Sequence, residues 1–382
     1  MFSKRVPPDL RPNSIARALA ATGRVAYDLT VSNPTRCGLD YPETLLRPLA
    51  DREGLTYRPD PLGLRSARET VAGEYRRRGA AIDAERVVLT ASTSEAYSYL
   101  FKLLCDPGDT VLIPAPSYPL FEHLARLEGV RSRSYALDPD GDWQPGPIDP
   151  GTDRARALIV VHPNNPTGSL VHTGGANVLA QRCASDEIAL VADEVFFDYR
   201  YDNGSERLSF AGRDDVLTFT MGGLSKSLGL PQLKLSWIVV SGPEDQVQVA
   251  VERLSFIADN YLTVGSPVQL ALPSLFRDAS PVHSVILDRC RQNLQTLIGE
   301  VTNVSAISVI EPEGGWNACL RFPAVVDEET LALELLEDQV AIHPGYFFDF
   351  PTEGYLVLSL LPPPGTFVSG VRRLLRRLSS HL

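Results

Sequence analysis

The sequence predicts an α/β protein: a mostly parallel, doubly wound seven-stranded sheet in a large domain, with a smaller α+β domain formed from both termini. Three observations lead there. From about residue 85 onward, short apolar runs alternate with helical patterns. Most of these runs (87–90, 110–113, 130–135, 157–161, 188–192, 216–220 and 237–240) are continuous rather than alternating, as strands covered on both faces by helices must be. Polar, breaker-rich loops follow the carboxyl ends of such runs, the edge where open α/β sheets collect ligands. The large domain is expected over residues 38–284, and the small one over 1–37 and 285–382.

Taken in order, the chain opens with a short amphipathic helix near Ile15 that Asn13 or Ser14 can cap. An extended segment then meets Asn33-Pro34-Thr35, a turn suited to lining a site. A helix over 64–78 carries many arginines, read as a solvated face. After the strand-rich centre, helices are expected over 244–257 and 281–301. The tail alternates strands (318–322, 356–360) with helices (328–338, 368–378).

With 382 residues, 44% of them hydrophobic and 22% charged, nothing in the composition suggests disorder, and a formal charge of -11 argues against non-specific nucleic-acid binding. Five scattered cysteines show no metal-like spacing and fit a reduced cytoplasm. No signal-peptide core and no membrane-length apolar run is visible.

The chemistry centres on Thr218 to Leu230, an apolar run that breaks at Gly222-Gly223 and presents Lys226 after Ser225. A lysine at the end of a buried strand can be desolvated into a free amine that attacks a carbonyl carbon. If that carbonyl is an aldehyde on a pyridine ring, the ring needs a carboxylate at its nitrogen, a donor at its phenolic oxygen, a flat group over its face and a cradle for its phosphate. Asp193, Asn165 and Tyr118 each follow a strand end and suit the first three, while Ser92, Thr93 and the amides opening the next helix suit the last. Each has an ordinary alternative: a solvated loop lysine, a helix cap, a turn asparagine, a core tyrosine.

The motifs Thr90-Ala91-Ser92-Thr93-Ser94-Glu95-Ala96, Pro116-Ser117-Tyr118-Pro119, Asn164-Asn165-Pro166-Thr167-Gly168, Asp193-Glu194-Val195, Ser225-Lys226 and Glu313-Gly314-Gly315 occur in that order. Together they give a chain that resembles the pyridoxal 5'-phosphate-dependent fold-type I aminotransferases of class I/II, from about Ser32 to the C-terminal helix. The resemblance implies a Schiff base on Lys226 and transfer of an amino group between an amino acid or amine and a 2-oxo acid. It also implies a homodimer in which Tyr57 reaches the partner's cofactor phosphate.

The sequence departs from the family pattern in four respects. Phe196 stands where a tyrosine usually donates to the phenolic oxygen, which predicts a higher Schiff-base pKa. Lys234 replaces the phosphate-binding arginine, and Gly223 and Ser92 exchange the usual serine and glycine of the cradle. Val357 occupies the place of the arginine that grips the substrate carboxylate, leaving Arg36 or neutral donors such as Asn33 to take over, or a natural substrate that lacks a free α-carboxylate. A lyase or decarboxylase on the same fold is the alternative reading. A non-catalytic regulator is disfavoured by the acidic charge and the lack of a DNA-binding segment.

Overall fold

The structure is a computed structural model that describes residues 2–149, 155–201, 209–262 and 264–382. Helix α1 (Ser14–Thr22) is capped by Asn13, whose side chain accepts from the Ala16 N–H at 2.8 Å, and is followed by β1 (Tyr27–Asp28). Helix α2 (Arg65–Arg77) buries Ala67, Val71, Ala72 and Tyr75, one apolar stripe at helical spacing.

The central sheet holds β2 (Val87–Thr90), β3 (Thr110–Ala115), β4 (Arg131–Asp138), β5 (Gln144–Pro145), β6 (Ala155–Val161), β7 (Ala189–Asp193), β8 (Thr218–Gly223) and β9 (Ser236–Ser241). Their spatial order is β2-β9-β8-β7-β6-β3-β4-β5. From β8 across to β4 every pairing is parallel, while β9 runs antiparallel between β8 and β2. The seven expected strands are all present, and the two-residue β5 adds an antiparallel edge.

Helices α3 (Thr93–Leu104), α4 (Phe121–Glu128), α5 (Thr173–Asp186), the single turn α6 (Leu224–Ser227) and α7 (Glu244–Asp259) fill the crossovers. Successive strand residues point to opposite faces, so Val191 packs with Ala96, Leu100 and Leu254 of α3 and α7, whereas Leu190 and Ala192 pack with Leu179 and Cys183 of α5. Both faces are covered, which is why the runs read as continuously apolar.

Beyond the sheet come α8 (Ser266–Asp278), α9 (Ser280–Val301), β10 (Ser308–Ile310), β11 (Asn317–Arg321), α10 (Glu328–Glu337), β12 (Val340–Ala341), β13 (His343–Pro344), β14 (Tyr355–Ser359) and α11 (Pro364–Ser379). Four of these strands make an antiparallel sheet, β10-β11-β14-β13, and β12 pairs in parallel with β1. Among the described residues no helix is long and apolar enough to cross a membrane.

Local readings fail at three places. Strand β8 continues through Gly222 and Gly223 instead of breaking there. A Cβ on Gly222 would lie 2.7 Å from the Trp237 ring and one on Gly223 2.3 Å from Ser236 Oγ, so the pair permits close approach by β9. Helix α8 forms despite Pro273 within it, whereas Pro267 in its first turn lacks only an N–H that the helix start does not use. The arginines of α2 are not all solvated: Arg68 is buried, donating to the Gly63 and Ala84 carbonyls at 2.8 and 2.9 Å and to Glu85 at 3.1 Å. Those acceptors satisfy a guanidinium that burial would otherwise penalise.

Candidate active site

Strand ends converge on a cavity of about 170 Å³. Its wall includes Thr93, Tyr97, Tyr118, Asn165, Asp193, Phe196, Ser225, Lys226, Trp316 and Asn317. Larger surface depressions of about 930 and 690 Å³ hold no such group. The first is walled by the ion pairs Arg65–Glu69 and Arg86–Glu244, and the second opens below Ile188 and Val216 at the far end of the strands.

Lys226 sits on the single turn α6 directly after β8. Its carbonyl accepts from the Tyr199 hydroxyl at 2.8 Å and from the Gly229 N–H at 2.9 Å, which fixes the backbone from which the side chain enters the cavity. Nζ lies 4.6 Å from the Trp316 ring centre and 5.2 Å from that of Phe196. Burial among these rings lowers the amine to about 8, against the opposing charge of Asp193.

Asp193 ends β7 and is buried. Burial raises its carboxyl to about 6, opposed by the N–H of Val195, the hydroxyl of Tyr97 and the charge of Lys226. The Tyr97 hydroxyl donates to Oδ2 at 3.0 Å and the Val195 N–H to Oδ1 at 3.2 Å. Tyr97 is itself held edge-on by Phe121, with ring centres 5.2 Å apart.

Asn165 lies in a turn tied by its neighbour Asn164, which accepts from the Thr167 hydroxyl at 3.0 Å and donates to the Pro116 carbonyl at 3.3 Å. That second bond links the turn to the loop bearing Tyr118. Tyr118 is 39% exposed and meets Phe121 edge-on, so one side of its ring is open to the cavity mouth.

Helix α3 begins with a reciprocal cap, a variant of the capping box that reaches one residue further back. Ser92 Oγ accepts from the Glu95 N–H at 3.1 Å, and Glu95 accepts from the Ala91 N–H at 2.7 Å. Ser92 therefore serves the cap and is absent from the wall, which Thr93 and Ser94 form instead. The first-turn N–H groups at this end have no acceptor within the helix, which favours an anion there.

Four other candidates, and Val357, lie outside the lining. Asn33 accepts from the Thr35 N–H at 3.1 Å and hydroxyl at 2.8 Å, and Arg36 is exposed. Tyr57 is 76% exposed. Lys234 is exposed in a left-handed conformation (φ 50) just before β9. Val357 packs with Cys319 and Phe348 in an apolar cluster. Among the described residues that line the cavity, Lys226 is the one cation.

Tyr97, Trp316 and Asn317 carry no signal that local reading assigns to a site. Tyr97 falls four residues after Thr93 and so shares its helix face, the one hint available.

The sequence profile of the family "Aminotransferase class I and II" matches residues 38–362. The chain is 28% identical over 375 residues to the alanine aminotransferase of Mycobacterium tuberculosis, covering 94% of this chain and 87% of that protein. It is 26% identical over 387 residues to the glutamate-pyruvate aminotransferase of Escherichia coli K12, covering 96% and 93%. Among solved structures, an alanine aminotransferase from Pyrococcus furiosus superposes with a TM-score of 0.88 at 23% identity, covering both chains entirely. An aminotransferase from Escherichia coli gives 0.86 at 24% identity, covering 99% and 98%.

Proposed function

Because the chain belongs to the class I and II aminotransferases, a family that uses pyridoxal 5'-phosphate, we propose that this cavity holds that cofactor and transfers an amino group from a small amino acid to a 2-oxo acid. The chain is an aminotransferase. The names of the compared relatives leave the lyase alternative without support. The observation that carries the cofactor reading is the pairing of Lys226, lowered to about 8, with Asp193, raised to about 6, within one cavity wall.

The donor set fits the cofactor. When bound, its conjugated ring takes up the electron pair released at the substrate carbon. Lys226 would anchor it covalently through Nζ and, once released, carry a proton at that nitrogen. Asp193 would hold a proton between its carboxylate and the ring nitrogen, with Tyr97 orienting it. Asn165 would donate from Nδ2 to the ring oxygen, and Tyr118 would cover the ring face. Thr93, Ser94, Ser225 and the start of α3 would receive the phosphate, with Ser92 holding that helix end and Lys234 supplying charge from outside the wall. The exposure of Tyr57 supports a role in a homodimer, toward the partner's phosphate. The lack of an arginine among the described residues of the lining supports recognition of the substrate carboxylate by neutral donors such as Asn33, or by Arg36 after movement of its loop. We further propose the domain division at residues 38–284 and a cytoplasmic location.

The test is a spectral screen. Protein loaded with pyridoxal 5'-phosphate is expected to lose its visible band with alanine or glutamate and to recover it with pyruvate or 2-oxoglutarate. Lys226→Ala is expected to abolish the cycle. Release of free ammonia with no new amino acid would refute transamination.

A further inference from the structure

Alternate residues of a strand share one side of the sheet. On β11, Asn317 and Cys319 both reach the turn that carries Asn165. Asn317 Nδ2 donates to Asn165 Oδ1 at 2.7 Å, and Cys319 Sγ donates to the Pro166 carbonyl at 3.4 Å. Val357, opposite Cys319 in register, closes the same patch with Phe348 as an apolar cluster. The C-terminal sheet therefore grips this turn with one amide and one thiol.

An asparagine amide carries its acceptor and its donors on a single plane, so committing one end commits the other. With Oδ1 taken by Asn317, Nδ2 is the end of Asn165 left to the cavity that both residues line. Phe196, in the same wall, has no hydroxyl to offer.

We propose that Asn317 is a positioning residue: its hydrogen bond sets the Asn165 amide so that Nδ2, and not Oδ1, meets the electron-rich oxygen of the bound ring. This rests on the cofactor reading above. A donor at that oxygen favours its anionic form and so lowers the pH at which the chromophore loses its proton. The titratable side chains lining the cavity are Lys226, Asp193, Tyr97 and Tyr118. Asn317 is none of these, and replacing it with a neutral residue changes hydrogen bonding alone.

The visible absorbance of cofactor-loaded protein is titrated with pH for the wild type, Asn317→Leu and Asn317→Asp, and for each in an Asn165→Ala background. The midpoint is expected to rise by about one unit in Asn317→Leu, a tenfold shift of that equilibrium. It is expected to rise further in Asn317→Asp, whose carboxylate draws Nδ2 of Asn165 to itself. In the Asn165→Ala background Asn317→Leu is expected to change nothing. An unshifted midpoint, or the same shift without Asn165, overturns the assignment. A wild type that gains no visible band with pyridoxal 5'-phosphate overturns the cofactor reading instead, and this inference with it. If Asn317→Leu does not fold, Asn317→Ala carries the same comparison without added bulk.

Discussion

At the scale of single residues, Lys226 and Asp193 are moved toward each other on the pH axis by one cause, burial, and each restrains the shift of the other. The reactive amine should therefore reveal itself without any cofactor. Reductive methylation followed by mass spectrometry is expected to label Lys226 half-maximally near pH 8, whereas a solvated lysine titrates near about 10.4. Tyr97→Phe removes a hydrogen bond that keeps Asp193 charged, so the carboxyl should rise further. Starting from about 6, that carboxyl still stays largely ionised near pH 8, so the Lys226 labelling profile should move to lower pH by well under about one unit. A Lys226 profile that follows the exposed lysines would show the amine to be solvated. Lys226, Asp193 and Asn165 were legible as candidates because each lies in the polar segment at or just beyond the carboxyl end of an apolar run, the ligand edge of such a sheet. Tyr97 was not, since its partner lies 96 residues away and a tyrosine on an apolar helix face reads as core filling.

At the scale of elements, β8 fits against β9 through two glycines. Gly222 and Gly223 leave room for Trp237, whose indole N–H donates to the Tyr75 hydroxyl at 3.2 Å, and for Ser236. Gly223→Ser is expected to destabilise the protein by about 1–3 kcal/mol through overpacking, measured by urea unfolding. Adding Ser236→Gly should recover most of that loss. An unchanged midpoint in the single variant would show that the strands can part at no cost. This contact also marks where reading by elements stops. Most of the main strands follow from continuous apolar runs, because burial on both faces imprints itself on neighbouring residues; β4, with Arg131, Ser132 and Arg133, is the exception. The passage of β8 through two glycines depends instead on side chains from another strand. Helix α8 was hidden behind its prolines for a related reason: its buried face, with Val268, Ala271, Leu272 and Leu275, outweighs a local breaker. Arg68 was misread as solvated because its carbonyl acceptors lie at Gly63 and Ala84, beyond the helix that displays it.

Across the whole molecule, buried Glu328 on α10 ties the C-terminal sheet to the site. Its carboxylate accepts from the N–H groups of Tyr346, Gly354 and Tyr355 at 2.7, 2.9 and 2.8 Å. The turn so held places the Phe348 carbonyl 2.9 Å from the Ser117 N–H, next to Tyr118. Glu328→Ala leaves two buried donors and one part-buried donor unpaired and is expected to cost on the order of 3 kcal/mol in unfolding free energy, with cofactor affinity falling as well. Glu328→Gln keeps an acceptor and should cost less; equal losses would point to charge rather than hydrogen bonding. A second long-range tie, the parallel pairing of Tyr27 and Asp28 with Val340 and Ala341, bears on how the chain is made. Asp28 and its partner Ala341 are 313 residues apart (341 − 28). At about 5–20 residues per second a ribosome needs roughly 15–60 s to cover that distance. For that time β1 has no strand to join, and the central sheet can close well before the segment that precedes it finds its place.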